Sequence, residues 1–200
     1  MYIKTSIVLT ALFLTACATS RPNLPELSPS SGRLSLDGAS FAPPVGDGWY
    51  VIMQTPFHIG LVKPLVDEDE TVAVEAQLFK FTGPVSEKDF AQQVKAGEDQ
   101  NTDPKRFTTQ VHEVTSVKIG QAICARSYFV TLDHAPHTHS HSDKPMILEA
   151  LSLKCSHPDD PRVGVSVTYS ERYYPGDVDP QFKTDAMAVL DSVELSKLKE

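Results

Sequence analysis

Gln121–Asp133 (QAICARSYFVTLD) and Pro145–Cys155 (PMILEALSLKC) are two β-like segments separated by the insert His134–Lys144 (HAPHTHSHSDK). Cys124 and Cys155 stand near the two ends of this stretch, and His134, His137, His139 and His141 lie in its middle. If the segments pair as an antiparallel hairpin, one register sets Cys124 opposite Cys155. The same register pairs Tyr128 with Leu151, Val130 with Glu149, and Leu132 with Ile147.

Working outward, further strand signals occur on both sides. Towards the N-terminus these are Arg33–Leu36, Trp49–Met53, His58–Lys63 and Thr71–Phe81. Arg106–Ile119 alternates with a drift that suits a bulge near Glu113–Thr115. After the hairpin, Val163, Val165 and Val167 alternate strictly through Tyr169. Ser86-Glu87-Lys88-Asp89 resembles a capping box with Asp in place of Glu, and Phe90 and Val94 share one helical face. A helix from Glu87 to about Gly97 is therefore expected, with Gly97 ending it. Asp179-Pro180 opens a second helix, in which Phe182, Ala186, Val189 and Leu190 form one apolar stripe. Asp67–Glu70 reads as a solvated turn, because the spacing of a Ca²⁺ loop is absent.

Met1–Ala16 reads as an export signal, with Lys4 before a short apolar run. That run is about half the ~20 residues a spanning helix needs. It ends in Leu14-Thr15-Ala16-Cys17, which resembles the lipobox of bacterial lipoproteins. The resemblance implies lipidation of Cys17, cleavage before it and acylation of the new N-terminus. Ala18 after the cysteine, where Asp would retain such a protein, implies sorting to the outer membrane. The domain then faces the periplasm, with the cell surface as the alternative. Residues 17–32 are rich in Pro and Ser and read as a tether of at most roughly 50 Å. Residues 33–200 make one domain.

The formal net charge is −8, and losing a leader that carries Lys4 and no acid makes it one unit more negative. That balance argues against nucleic acid as a partner, and no basic run offsets it. With Cys17 lipidated, Cys124 and Cys155 remain. An oxidising compartment favours a disulfide between them, worth about 3–4 kcal/mol in the chain-entropy model. Two buried unpaired thiols are the alternative.

The elements show no regular βαβ alternation, which disfavours a parallel sheet. The fold class expected is α+β: a twisted antiparallel sheet of about seven strands covered by helices. Gly48-Trp49-Tyr50-Val51, the acidic turn, the central helix, the meandering strands and the ending Phe182–Ala186 through Val189–Val193 resemble the PsbP-like fold. That resemblance spans roughly Phe41–Leu195 and implies action by binding. The histidine-rich insert lies outside the family pattern.

Chemistry has three candidate carriers. His134, His137, His139 and His141 could hold Zn²⁺ or Cu²⁺ if the loop curls, because alternate side chains on a straight strand are ~6–7 Å apart. The alternative is a solvated loop tip. Ser166, Ser170 and His157 can be arranged as a triad on paper, but their spacing does not demand it and no Gly-x-Ser-x-Gly occurs. Arg172-Tyr173-Tyr174 is a candidate partner contact, against a reading in which a Tyr packs under the last helix and Arg172 pairs with an acid. The sequence thus points to a non-enzymatic envelope lipoprotein without a cofactor. It would be held to the membrane by its lipid and bind an envelope protein whose identity the sequence does not give. Zn or Cu binding or sensing by the histidine loop is the alternative.

Overall fold

The computed structural model describes residues 24–81, 86–138, 140 and 142–199. Ten strands and two helices are found among them: β1 Leu34–Leu36, β2 Ala39–Phe41, β3 Tyr50–Gln54, β4 His58–Pro64, β5 Thr71–Lys80, α1 Phe90–Asn101, β6 Phe107–Ile119, β7 Ala122–Asp133, β8 Met146–Ser156, β9 Val163–Tyr173, α2 Phe182–Asp191 and β10 Glu194–Leu195. Seven strands form one antiparallel sheet in the order β3-β4-β5-β9-β8-β7-β6, and β1-β2-β10 form a second, small sheet. This is an α+β architecture, with the helices segregated from an antiparallel sheet.

The β7–β8 hairpin takes the expected register, with Cys124 opposite Cys155, Tyr128 opposite Leu151, Val130 opposite Glu149 and Leu132 opposite Ile147. The two cysteines form a disulfide with Cα atoms 4.0 Å apart, well inside the ~7 Å limit for a bridge. Both are at most 1 % exposed and belong to the main core.

Side-chain alternation gives the large sheet two different faces. On one, Val165, Val167 and Tyr169 of β9 join Leu151 and Leu153 of β8 and Val74 and Ala76 of β5. The α2 stripe of Phe182, Ala186, Val189 and Leu190 is buried against this face. Tyr169 stands at the junction, edge-on to Trp49 at 6.1 Å and to Phe182 at 5.7 Å. Leu34, Leu36, Ala39 and Phe41 of the small sheet complete the same core. Fully burying each such side chain contributes about 1.5–3 kcal/mol.

His157 ties the small sheet down. Its Nε2 donates to the carbonyls of Gly38 (3.1 Å) and Ser196 (2.9 Å), and its Nδ1 accepts from the Asp159 N–H. Gly38 has φ +83°, and a Cβ there would sit 3.0 Å from that imidazole nitrogen and 2.6 Å from Leu198. Both the turn and the close approach thus require glycine.

Several expectations are corrected. α1 begins at Phe90, not Glu87, and Asp89 makes no side-chain cap; the Asp89 N–H bonds the Ser86 carbonyl instead. The helix also runs through Gly97 to Asn101, because Glu98 and Asp99 bond groups on the sheet and hold the last turn in place. The irregularity in β6 falls between Thr109 and Val111, not near Glu113–Thr115. β2 and β10 carry too few residues to show a period.

Two further corrections concern polar segments. Within the expected tether, Pro25–Leu27 dock on the sheet: Glu26 bridges Tyr50, the Leu27 N–H donates to the Trp49 carbonyl, and the Val51 N–H donates to the Pro25 carbonyl. In the acidic turn, Asp69 and Glu70 are buried at 6 % and 8 % exposure, not solvated. Their carboxylates are satisfied by the Tyr174 phenol on Asp69 and the Tyr174 N–H on Glu70, each at 2.8 Å.

Replacing Cys124 and Cys155 together by Ala is expected to lower the unfolding free energy by about 3–4 kcal/mol, measured by urea denaturation. Thiol counting on the unreduced, unfolded chain should find neither cysteine reactive; two reactive thiols would contradict the bridge.

Candidate functional site

The second face of the sheet is polar. On β9, Ser166, Thr168 and Ser170 alternate with the core valines and Tyr169; on β8, Ser152 and Lys154 alternate with Leu151 and Leu153. Across the strands these residues fall into rows. Gln77 lies opposite Ser166, which lies opposite Lys154; Thr168 lies opposite Ser152, which lies opposite Ser127. α1 covers only the β6–β7 side of this face, packing Phe90 and Val94 on Ala125, Val114 and Ile123. Between α1 and the exposed part of the sheet runs an open groove of about 960 Å³.

Aromatic rings stand at both sides of its hydroxyl floor. Phe79 and Phe81, 4.8 Å apart edge to face, come from the β5 side, and Phe129 comes from β7. Three strand spacings of about 4.8 Å separate β5 from β7, so the floor is about 14 Å wide. Phe79 lies flat over Gly164, where a Cβ would come within 2.3 Å of the ring. Glycine is therefore needed at that strand position.

Glu98 fixes the helix to the groove floor. Its Oε1 accepts from Ser127 Oγ (2.9 Å) and Ser152 Oγ (3.3 Å) and pairs with Lys154, while its Oε2 meets His112 Nε2 at 2.8 Å. His112 Nδ1 in turn faces Asp99 at 2.7 Å, and Lys95 bonds Asp99 at 2.9 Å. Burial raises the Glu98 pKa, but the Lys154 charge and the Lys154, His112 and Ser127 hydrogen bonds outweigh it and hold the carboxyl below its usual range. Lys154 is paired with Glu98, and its Nζ lies 3.4 Å from the Ser152 hydroxyl. By contrast, no hydrogen bond links the side chains of Gln77, Ser166 or Thr168 to another described residue, although Ser166 is only 4 % exposed.

The histidine insert presents a different arrangement. His139 and His141 lie outside the described residues. His134 is exposed and its Nε2 bonds Thr108 Oγ1 at 2.8 Å, while His137 is exposed. Among the described residues no three His, Cys, Asp or Glu side chains are placed to share a metal ion. Ser140 donates its N–H to Asp69 Oδ1 at 2.9 Å and its hydroxyl to Asp69 Oδ2, so the buried end of the acidic turn grips the insert. Asp133, at its base, is held by Arg106 at 2.8 and 2.7 Å and by Arg172 at 3.3 Å. Burial pushes the Asp133 carboxyl up, but the bonds from Arg106 and the Ala135 N–H, with the two guanidinium charges, carry it below its usual range.

The remaining candidates are dispersed. Both ring nitrogens of His157 are engaged with backbone, and Ser166 and Ser170 point from the polar face of β9, so the paper triad does not assemble. Tyr173 is 4 % exposed and its hydroxyl donates to Glu149 Oε2 at 2.8 Å, which makes it a core group and not a contact. Arg172 pairs with Asp133, and Tyr174 seals the acidic turn, so these two residues also serve the fold. Beside Tyr173, Glu149 and Glu171 face each other across β8 and β9, both buried. Tyr128 and Tyr173 donate to Glu149, whereas Glu171 Oε2 has no hydrogen-bond partner among the described residues.

No family model and no curated protein sequence matches the chain. Among solved structures, LpqN, involved in cell envelope biogenesis of Mycobacterium tuberculosis, is similar to it. The identity is 16 %, the TM-score is 0.47, and the match covers 80 % of this chain and 85 % of that one. At that level the likeness bears on neither family nor function.

The acid pair makes stability depend on pH. Burial, then the charges of Asp179, Glu149 and Glu70, push the Glu171 carboxyl up from its usual 4.5 to about 7. Between those values the unfolded chain releases the proton that folded Glu171 keeps, so stability falls as pH rises through the window and stays low above it. The effect is on the order of 3 kcal/mol. Glu171→Gln should remove most of this decline between about pH 5 and pH 8, read as urea midpoints. An unchanged slope in the variant would contradict the assignment.

Proposed function

We propose that the chain is a lipid-anchored, non-catalytic binding module of the bacterial envelope and that its ligand surface is the groove between α1 and the sheet. The observation that carries this reading is the groove floor: Gln77, Ser166 and Thr168 lack partners within the described fold, beneath aromatic rings that are left partly exposed. Gln77 is exposed and Thr168 half-buried, so polar groups that make no bond within the fold stand open to hydrogen-bond a ligand lying between the rings. The neighbouring Glu98–Lys154 pair is already satisfied, which supports positioning of the floor and not acid–base chemistry.

Anchorage rests on the lipobox-like Leu14-Thr15-Ala16-Cys17, and Ala18 supports the outer membrane as the destination. No helix among the described residues is long and apolar enough to cross a membrane. The antiparallel sheet with a terminal helix packed on one face supports assignment to a PsbP-like fold. The partner in this reading is an envelope protein, and the acidic net charge of −8 disfavours nucleic acid.

A second reading has the insert His134–His141 bind or sense Zn²⁺ or Cu²⁺. It rests on the spacing of His134, His137, His139 and His141 in the insert. Titration calorimetry showing no binding tighter than ~10 μM, equivalent to ~7 kcal/mol, would retire it.

Photo-crosslinkers placed singly at Gln77, Gln100 and Lys183 in living cells test the main reading. Gln77 and Gln100 line the groove, and Lys183 lies on α2 of the opposite face. One common adduct is expected from the first two positions and none from the third. Adducts from Lys183 alone would move the binding surface to the α2 side.

A further inference from the structure

We infer that the tip of the β3–β4 hairpin, Ile52, Met53 and Phe57, is a membrane-contact surface that rests on the bilayer holding the lipidated N-terminus. This rests on the anchorage reading above and adds to it the orientation of the domain.

Ile52, Met53 and Phe57 are 53 %, 44 % and 59 % exposed, and they account for half of the exposed large apolar side chains among the described residues. They lie within six positions of one hairpin. The backbone beneath them is fixed: the Pro56 carbonyl accepts from the Asp37 N–H at 2.7 Å, and the Phe57 carbonyl accepts from the Leu78 N–H at 2.9 Å. At the β3 irregularity between Val51 and Met53, the Ile52 side chain lies against Gly60, where a Cβ would come within 2.9 Å of it. A rigid support thus holds apolar groups out in solvent, which marks an interaction surface.

The course of the chain identifies what covers it. Pro25–Leu27 run antiparallel to β3, with Glu26 opposite Tyr50. Followed back towards the N-terminus, that segment travels along β3 in the direction of Ile52 and Met53. Cys17 is seven residues before Leu24, the first described residue, and seven residues span at most about 25 Å. The docked segment therefore halves the reach expected of a free tether and keeps Cys17 within about 25 Å of Leu24, whose segment heads towards the apolar tip. Electrostatic attraction to anionic headgroups is opposed by the net charge of −8, so contact is made by apolar side chains at the interface. The competing occupant, a second copy adding a strand to β3, meets an edge already covered by Pro25–Leu27 and broken by the bulge.

The test uses the full acylated protein in vesicles of brominated phosphatidylcholine, with Phe57→Trp or Met53→Trp as the reporter. Val178→Trp, at an exposed site between β9 and α2, is the control. Trp49 is 2 % exposed and supplies a constant background. Emission from the position 57 or 53 reporter is expected to fall at least twofold relative to unbrominated vesicles, and the position 178 reporter should be unaffected. Protein that co-floats with vesicles while neither tip reporter is quenched overturns the contact surface and leaves anchorage standing. Protein that fails to co-float overturns anchorage and this inference together. Crosslinked dimers through the tip without quenching assign the surface to a second copy and overturn it.

Discussion

The register between β7 and β8 is the constraint on which the rest of the molecule depends. Side chains on a strand alternate with period two, so a slip of one residue would exchange the two faces of the sheet. The Cys124–Cys155 bridge permits no such slip. With β8 fixed, β9 pairs on its other side so that Val165, Val167 and Tyr169 fall on the α2 face and Ser166, Thr168 and Ser170 on the opposite one. One covalent link thereby separates an apolar core from a polar floor.

Each face has its own helix, and the two helices are held differently. α2 is attached by burial of an apolar stripe, which is non-directional and tolerant. α1 buries only Phe90 and Val94 and relies on Glu98 and its bonds to Ser127, Ser152, Lys154 and His112. Directional bonds fix a helix at a set height above the sheet, which apolar packing alone does less sharply. The groove exists because α1 covers part of the polar face and stops.

Much of this was legible in the residues. The hairpin register, the α2 stripe and the Phe90–Val94 pair follow from periodicity and from the spacing of two cysteines. The groove was half visible: the serines and Thr168 alternating through β9 mark a polar face, but no local pattern says that α1 leaves them uncovered. The acidic turn was misjudged, while for Arg172-Tyr173-Tyr174 the structure takes the second of the two readings, with Tyr173 buried and Arg172 paired to Asp133. The turn was read as surface by residue type, whereas Asp69 and Glu70 are satisfied by Tyr174 at long sequence separation. The docking of Pro25–Leu27 was hidden by composition, because backbone bonds to β3 do not depend on which side chains the segment carries.

The two faces and the groove fit the proposal that the domain stands on its lipid with the polar face turned to a ligand. Hydrogen–deuterium exchange of the acylated protein in its native membrane, compared with purified protein in detergent, tests this most directly. The account predicts added protection at α1, at the hydroxyl-bearing strands β8 and β9 and at the β3–β4 tip, with α2 unchanged. Added protection confined to α2 and the small sheet, with the groove exchanging as in detergent, would contradict it.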